Sequence, residues 1–72
     1  MNWATTQNNL GLARAAMAAL EQGAARRGRL HQALGHFDAA LTVFDPETMS
    51  YNHAKCSDNR ARVAALLEGA GE

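Results

Sequence analysis

Two side chains near the C-terminal end of the chain have the spacing of residues that could share a metal ion. His53 and Cys56 lie three residues apart, which places both on one face of a helix. A zinc site needs about four such ligands, and the remaining histidines, His31 and His36, belong to a different segment. A lone thiol without an orienting group is also weak support for a Cys–His nucleophile. We therefore expect no metal site, no cofactor, no catalytic residue and no enzymatic activity.

One basic cluster, ARRGRLH, lies between Ala25 and His31. Clustered arginines can contact nucleic-acid phosphates. However, seven Lys and Arg against seven Asp and Glu give a formal net charge of zero, whereas proteins that bind nucleic acids or anionic membranes normally carry a basic excess. Nucleic acid is therefore not the expected partner.

A three-helix nucleic-acid-binding protein of the helix-turn-helix type stays open as the alternative. Such a protein needs Arg, Lys, Asn or Gln on one face of its recognition helix. The C-terminal segment offers four residues of this kind: Asn52, Lys55, Asn59 and Arg62.

The stretch WATTQNNLG, from Trp3 to Gly11, combines two adjacent amides with a glycine in a helix-forming region. A glycine inside a helix costs roughly 1 kcal/mol relative to alanine, so Gly11 needs a compensating contact. A side-chain amide both donates and accepts hydrogen bonds, which suits Asn8 and Asn9 for binding a peptide backbone. Simple solvation of a helix face is the alternative for both side chains.

The composition predicts the fold class. Alanine is abundant, isoleucine is absent and valine occurs only at Val43 and Val63, whereas strands need β-branched and aromatic residues. We expect an all-α fold and, at 72 residues, a single helical module over 1–72. A single cysteine, no secretory signal pattern and no apolar run long enough to span a bilayer lead us to expect a cytoplasmic protein without a membrane segment.

The first predicted helix, segment A, runs from about Trp3 to Leu20 and has Asn2 as its N-cap. Its apolar stripe has helical spacing and consists of Trp3, Leu10, Ala13, Met17 and Leu20, with Thr6 in the gap. The glycines at Gly23 and Gly28 predict the break that follows, and Gly23 is a candidate for a left-handed residue that closes segment A.

Two further helices are predicted after this break. Segment B runs from about Arg29 to Phe44 and ends before Asp45-Pro46-Glu47, which has the residues that begin a new helix. Segment C runs from about Thr48 to Glu68, and we expect a frayed tail over residues 69–72. The apolar side of segment C consists of Met49, Cys56, Val63 and Leu67, helped by Ala64 and Leu66.

The motifs of segments A and B resemble those of the tetratricopeptide repeat, a helix-turn-helix unit. The residues that carry the resemblance are Leu10, Gly11, Ala33, Phe37, Ala40 and Pro46. The phrase WATTQNNLG and the run ALGHFDAALTVFDPE also look like phrases of long bacterial arrays of this repeat. Trp3 lies seven residues before Leu10 instead of three, Arg14 stands where the pattern has Tyr, and the stretch from Gly11 to Ala33 is roughly ten residues longer than in the standard unit.

The resemblance implies an antiparallel helix pair over residues 1–46 and a capping helix over 47–72. It implies close contact between the two helices through Leu10, Gly11, Ala33, Phe37, Ala40 and Pro46. It also implies that a protein or peptide partner binds to the segment A face at Thr5, Asn8, Asn9, Leu12, Ala15 and Ala16. Because a single repeat cannot bury its apolar face alone, we expect a homo-oligomer or a piece of a longer array.

Overall fold

The computed structural model describes residues 2–70, with side chains for residues 2–69. Three helices follow one another along the chain: α1 (Trp3–Ala18), α2 (Gly23–Leu41) and α3 (Ser50–Ala70). The predicted all-α class is confirmed. Helix α2 packs extensively against both neighbours, whereas α1 and α3 touch each other at few points. No helix in the described part of the chain combines the length and the apolar character needed to cross a bilayer.

Helix α1 begins as predicted, with Asn2 as its N-cap. The Asn2 Oδ1 accepts hydrogen bonds from the backbone N–H groups of Ala4 at 2.8 Å and Thr5 at 3.3 Å. These bonds satisfy donors that have no partner within the first turn of a helix. The helix ends at Ala18, two residues before the predicted end at Leu20.

The turn between α1 and α2 is much shorter than predicted, because α2 begins at Gly23 and not near Arg29. Gly23 does adopt a left-handed φ of 62°, but it opens α2 instead of closing α1. Gly28 lies inside the helix, so reading it as a break was wrong. An ion pair between Arg29 Nε and Glu21 Oε1, at 2.8 Å, joins the turn to the first part of α2.

The face of α1 that packs on α2 is made of its smallest residues. Ala4, Gly11 and Ala18 are buried at intervals of seven residues, so they lie on one side of the helix. A Cβ atom on Gly11 would lie only 2.5 Å from Cε1 of Phe37, which shows how closely the backbone of α1 approaches this ring. The predicted Gly11–Phe37 contact is therefore present.

The opposing face of α2 contributes Leu30, Ala33, Phe37 and Ala40, and all four are completely buried. Phe37 is the largest fully buried side chain described. Ala33 and Ala40 add no bulk beside the ring, which lets the two helices pack closely around it.

The large residues of the apolar stripe on segment A stay partly exposed, including Leu10, which was predicted to contact α2. Trp3, Leu10, Met17 and Leu20 remain 55, 37, 37 and 89% exposed. Leu10 is therefore not part of the helix contact. The large residues and the small ones repeat with the same period of seven, and the small ones are buried. At Gly11 the missing side chain is what admits the Phe37 ring.

The connection between α2 and α3 follows the turn chemistry of Asp45-Pro46-Glu47. Asp45 Oδ1 accepts from the backbone N–H of Glu47 at 2.9 Å, and Asp45 O accepts from the N–H of Met49 at 2.8 Å. Asp45 thus caps a turn, and α3 itself begins at Ser50, two residues after the predicted start at Thr48. Pro46 is exposed in this turn and takes no part in the α1–α2 contact.

Helix α3 packs on α2 through the side that the sequence predicted. Cys56 and Val63 are buried, and Met49 and Leu67 pack against the core while partly exposed. Leu66, in contrast, is 46% exposed. The predicted fraying is wrong for residues 69–70, which are helical, and residues 71–72 of the expected tail lie outside the described part of the chain.

Candidate functional site

A cleft of about 210 Å³ opens between α1 and α3, on the side of the molecule where these two helices scarcely touch. We call it the α1–α3 cleft. Its lining is mainly apolar, with two polar residues from α3, and comprises Leu12, Ala15, Phe37, Asn59, Arg62, Val63 and Leu66. Each helix thus contributes at least one wall, and Phe37 of α2 lies between the other two.

The apolar part of the cleft results from the close packing of α1 on α2. The Phe37 ring is completely buried beneath the cleft, and Gly11 leaves it room beside α1. Ala15 is short and half-buried, and Leu12 at the rim is 44% exposed. The floor is therefore buried, whereas the rim carries exposed side chains.

The polar part of the cleft is a chain of hydrogen bonds that joins α3 to α1. Arg62 Nη2 donates to Asn59 Oδ1, and Asn59 Nδ2 donates to Asn8 Oδ1 at 3.3 Å. Asn59 is only 8% exposed, while Arg62 is exposed at the rim. Because an arginine has five N–H donors and this bond uses one, Arg62 can still donate to a bound group.

The residues predicted to bind a partner are distributed over two parts of α1. Leu12 and Ala15 line the cleft, and Asn8 is half-buried in the hydrogen-bond chain beside it. The other three predicted residues are exposed and are not among the lining residues of the cleft: Thr5, Asn9 and Ala16.

Four residues of α3 belong to the cleft but were not predicted to bind a partner: Asn59, Arg62, Val63 and Leu66. Asn59 and Arg62 were noticed only as part of a possible face for base recognition. The structure turns Asn59 inward to Asn8, where its amide is used within the protein. The useful signal in the sequence was Asn59, a polar residue three positions after Cys56 on α3. What this residue does depends on where α1 lies.

The only cysteine is a packed structural residue. Cys56 is fully buried and its Sγ donates to the backbone carbonyl of Phe37 at 3.5 Å. Burial raises the pKa of the Cys56 thiol, and the negative charge of Asp38 raises it further. The thiol is therefore neutral and shielded, which is the opposite of what a nucleophile requires.

Metal-binding potential is equally limited among residues 2–69. No three of the His, Cys, Asp and Glu side chains described there come close enough to hold an ion. His36 instead shares a hydrogen bond of 2.9 Å with Gln7 across the α1–α2 contact.

A second, shallow depression lies beside the α1–α2 turn and is lined by Glu21, Ala25, Gly28, Arg29 and Gln32. Its two charged groups already neutralise each other in the Arg29–Glu21 ion pair. Arg29 Nη1 also donates to Gln32 Oε1 at 3.3 Å. The polar groups here are paired with one another, so this depression offers less to a ligand than the α1–α3 cleft.

Comparison of the chain with protein-family models, with curated proteins and with solved structures finds no match. The geometry of the α1–α3 cleft and the motifs of the sequence are therefore the basis for considering function.

Proposed function

We propose that this protein is a protein–protein interaction module and not an enzyme, and that it binds a segment of a partner protein in the α1–α3 cleft. The observation that carries the proposal is the combination of a buried apolar floor, Phe37, with a polar rim of amides and the Arg62 guanidinium. Binding sites for peptides and small molecules typically combine an apolar pocket with a few well-placed polar groups.

The size of the cleft limits what the partner can place there. A cavity of roughly 150 Å³ accommodates a benzene molecule, so a cleft of about 210 Å³ has room for one large apolar side chain. The partner segment would insert such a side chain, a Leu, Met or Phe, over Phe37. A backbone carbonyl or a carboxylate of the same segment would accept a hydrogen bond from Arg62.

The resemblance to the tetratricopeptide repeat supports this proposal but does not carry it. The resemblance implies a partner on the face of α1 that includes Leu12 and Ala15, and both residues line the cleft. Within the proposal, α3 takes the part of the capping helix. We further propose the cytoplasm as the location, which rests on the single cysteine of the sequence.

The helix-turn-helix alternative has less support. Asn52, Lys55 and Arg62 are exposed on α3, but the fourth residue of that face, Asn59, is buried against α1. The zero net charge also gives nucleic acid little electrostatic attraction. Salt-dependent retention on duplex DNA would favour this alternative over the proposed peptide binding.

The test is a selection of random-sequence peptides displayed on phage against the immobilised chain. We expect enriched peptides to share one large apolar residue and to shift the NMR amide signals of Val63 and Leu66. Leu12→Lys should weaken their binding at least about tenfold, which corresponds to about 1.4 kcal/mol, because it places a charge at the apolar rim. Gln32→Ala in the second depression is the matched control and should bind as the unmodified protein does. Equal binding by the Leu12→Lys variant would exclude the cleft as the site.

A further inference from the structure

The flank of α1 that faces away from the cleft carries an apolar stripe with no partner among the described residues. The stripe consists of Trp3, Leu10 and Met17, which are 55, 37 and 37% exposed. At 3.6 residues per turn, Leu10 lies roughly 160° around the helix from Leu12 of the cleft. The stripe and the cleft are thus separate surfaces of one helix.

Helix α1 itself places only one charge near this stripe. Arg14 is the only charged residue of α1. It is half-buried, and its Nη1 lies 3.8 Å from the Met17 sulfur. Its Nε is buried and has no hydrogen-bond acceptor within residues 2–69. An approaching surface therefore meets apolar side chains and one cation that lacks a full set of partners.

The spacing of the stripe is symmetric about its middle residue. Trp3 and Met17 each lie seven residues from Leu10, which is about 10.5 Å along the axis at 1.5 Å per residue. A second helix of the same sequence, laid antiparallel across Leu10, would place Trp3 opposite Met17 at both ends. Sulfur–aromatic contacts between methionine and tryptophan are favourable.

We propose that the stripe is the interface of a two-fold symmetric homodimer, in which α1 packs antiparallel on α1 of a second copy with Leu10 on the axis. Thr6 lies four residues before Leu10 and Arg14 four residues after it. In this antiparallel register Arg14 therefore faces Thr6 of the second copy and not a second Arg14. The Thr6 hydroxyl donates to Asn2 O and can still accept. No like charges from the two α1 helices meet, so this register avoids the electrostatic repulsion that would oppose self-association.

The exposed area sets the strength of this dimer. The largest apolar patch on a typical monomer measures roughly 300–600 Å², and three partly exposed side chains do not exceed that size. A stable complex buries about 800 Å² per partner. The dimer therefore lies at the weak end of specific interfaces. It leaves the cleft open, so it goes beyond the proposed function and does not depend on it.

The first test measures mass in solution by sedimentation equilibrium from about 1 μM to about 1 mM, a range in which a weak dimer forms. We expect the mass to rise from the 7.7 kDa of one chain toward twice that value. Leu10→Lys should raise the dissociation constant at least about tenfold, because two cations would meet on the axis. Leu12→Lys is the matched control, since Leu12 is similarly exposed but lies on the cleft flank. A monomer at all concentrations, or equal weakening by both variants, would overturn the proposal.

The second test determines the register by disulfide formation in air, with native Cys56 kept because it is buried. The Leu10→Cys variant should link to a second copy of itself. Trp3→Cys and Met17→Cys should link to each other when mixed but not to themselves, because only Cβ atoms about 4 Å apart can be bridged. Efficient self-linking of all three variants would indicate a parallel pair and contradict the antiparallel arrangement.

The two proposals can fail separately. The Leu10→Lys variant should still bind the peptides selected against the cleft, because Leu10 does not line it. The Leu12→Lys variant should still dimerise. Loss of both properties in either variant would indicate a general disturbance of α1, which circular dichroism would detect as lost helix.

Discussion

Helix α2 contacts α1 on one side and α3 on the other, and the two contacts are built differently. Against α1 it packs alanines and one large ring onto a surface of Ala4, Gly11 and Ala18. Against α3 it packs side chains of medium size and adds one hydrogen bond and one ion pair. The thiol of Cys56 donates to a backbone carbonyl, and Arg60 Nε forms an ion pair with Asp38.

This difference shows where the fold tolerates change. The α1–α2 contact depends on the absence of a side chain at Gly11, so any added atom must displace the ring that it meets. The α2–α3 contact uses an exposed ion pair, and exposed ion pairs contribute at most about 1 kcal/mol. We therefore expect substitutions at the α1–α2 contact to have larger effects on stability than substitutions at the α2–α3 contact.

The largest effect should come from the residue that both contacts share. Phe37→Ala should lower the free energy of unfolding by about 3–5 kcal/mol, because it leaves a cavity beneath α1 and beside α3. For a 72-residue chain this is a large part of the total stability. Urea unfolding followed by circular dichroism measures the change, and Leu66→Ala, at a half-exposed position of the cleft, is the control. Equal losses for the two variants would mean that Phe37 is not central to either contact.

The second prediction compares two glycines in helices. Gly11→Ala should destabilise the protein by up to about 2 kcal/mol, because overpacking costs typically 1–3 kcal/mol and the gain in helix propensity recovers about 1 kcal/mol. Gly35→Ala should stabilise it by about 0.5–1 kcal/mol, since a Cβ there meets no atom within 4 Å. The opposite signs of the two stability changes distinguish the effect of packing from that of helix propensity. Chemical unfolding of both variants at one temperature measures the two changes. Stabilisation by Gly11→Ala would refute the close approach of α1 and α2.

The smallest effect concerns the α2–α3 contact and appears at alkaline pH. Because burial raises the pKa of Cys56 in the folded state, the unfolded chain releases the thiol proton first as the pH rises. The contribution of the thiol to stability is complete below its ordinary pKa and decreases above it. Thermal unfolding between neutral and alkaline pH measures this decrease, and Cys56→Ala should lose stability less steeply over the same range. An identical pH dependence in both proteins would show that the thiol is not buried.

The sequence was sufficient for the class of the fold and for its closest contact. The abundance of alanine predicted helices, the cap at Asn2 followed from its side chain, and the resemblance to a helical repeat implied that Gly11 and Phe37 meet. The predicted contact at Leu10 was wrong because Trp3, Leu10 and Met17 repeat with the same period as the small residues that are buried next to α2. Periodicity identifies a stripe, but it does not reveal whether the helix packs through its large residues or its small ones.

The sequence did not predict the start of α2 or the contribution of α3 to the cleft, and the two reasons are related. Gly28 resembles a helix break when only neighbouring residues are considered, yet it lies within α2. Asn59 and Arg62 join the cleft because α3 runs beside α1, and their partners lie far away in the sequence. Neither fact follows from local propensity, because each depends on how the three helices are arranged.

The position of Phe37 has a consequence for how this protein could acquire a new binding preference. The ring is part of the cleft floor and also the group that spaces α1 from α2, so it cannot be exchanged to suit a different ligand without loosening the whole molecule. Variation in specificity has to come from the rim, at Leu12, Arg62 and Leu66. A family of such modules would keep one interior and differ only around the edge of its opening.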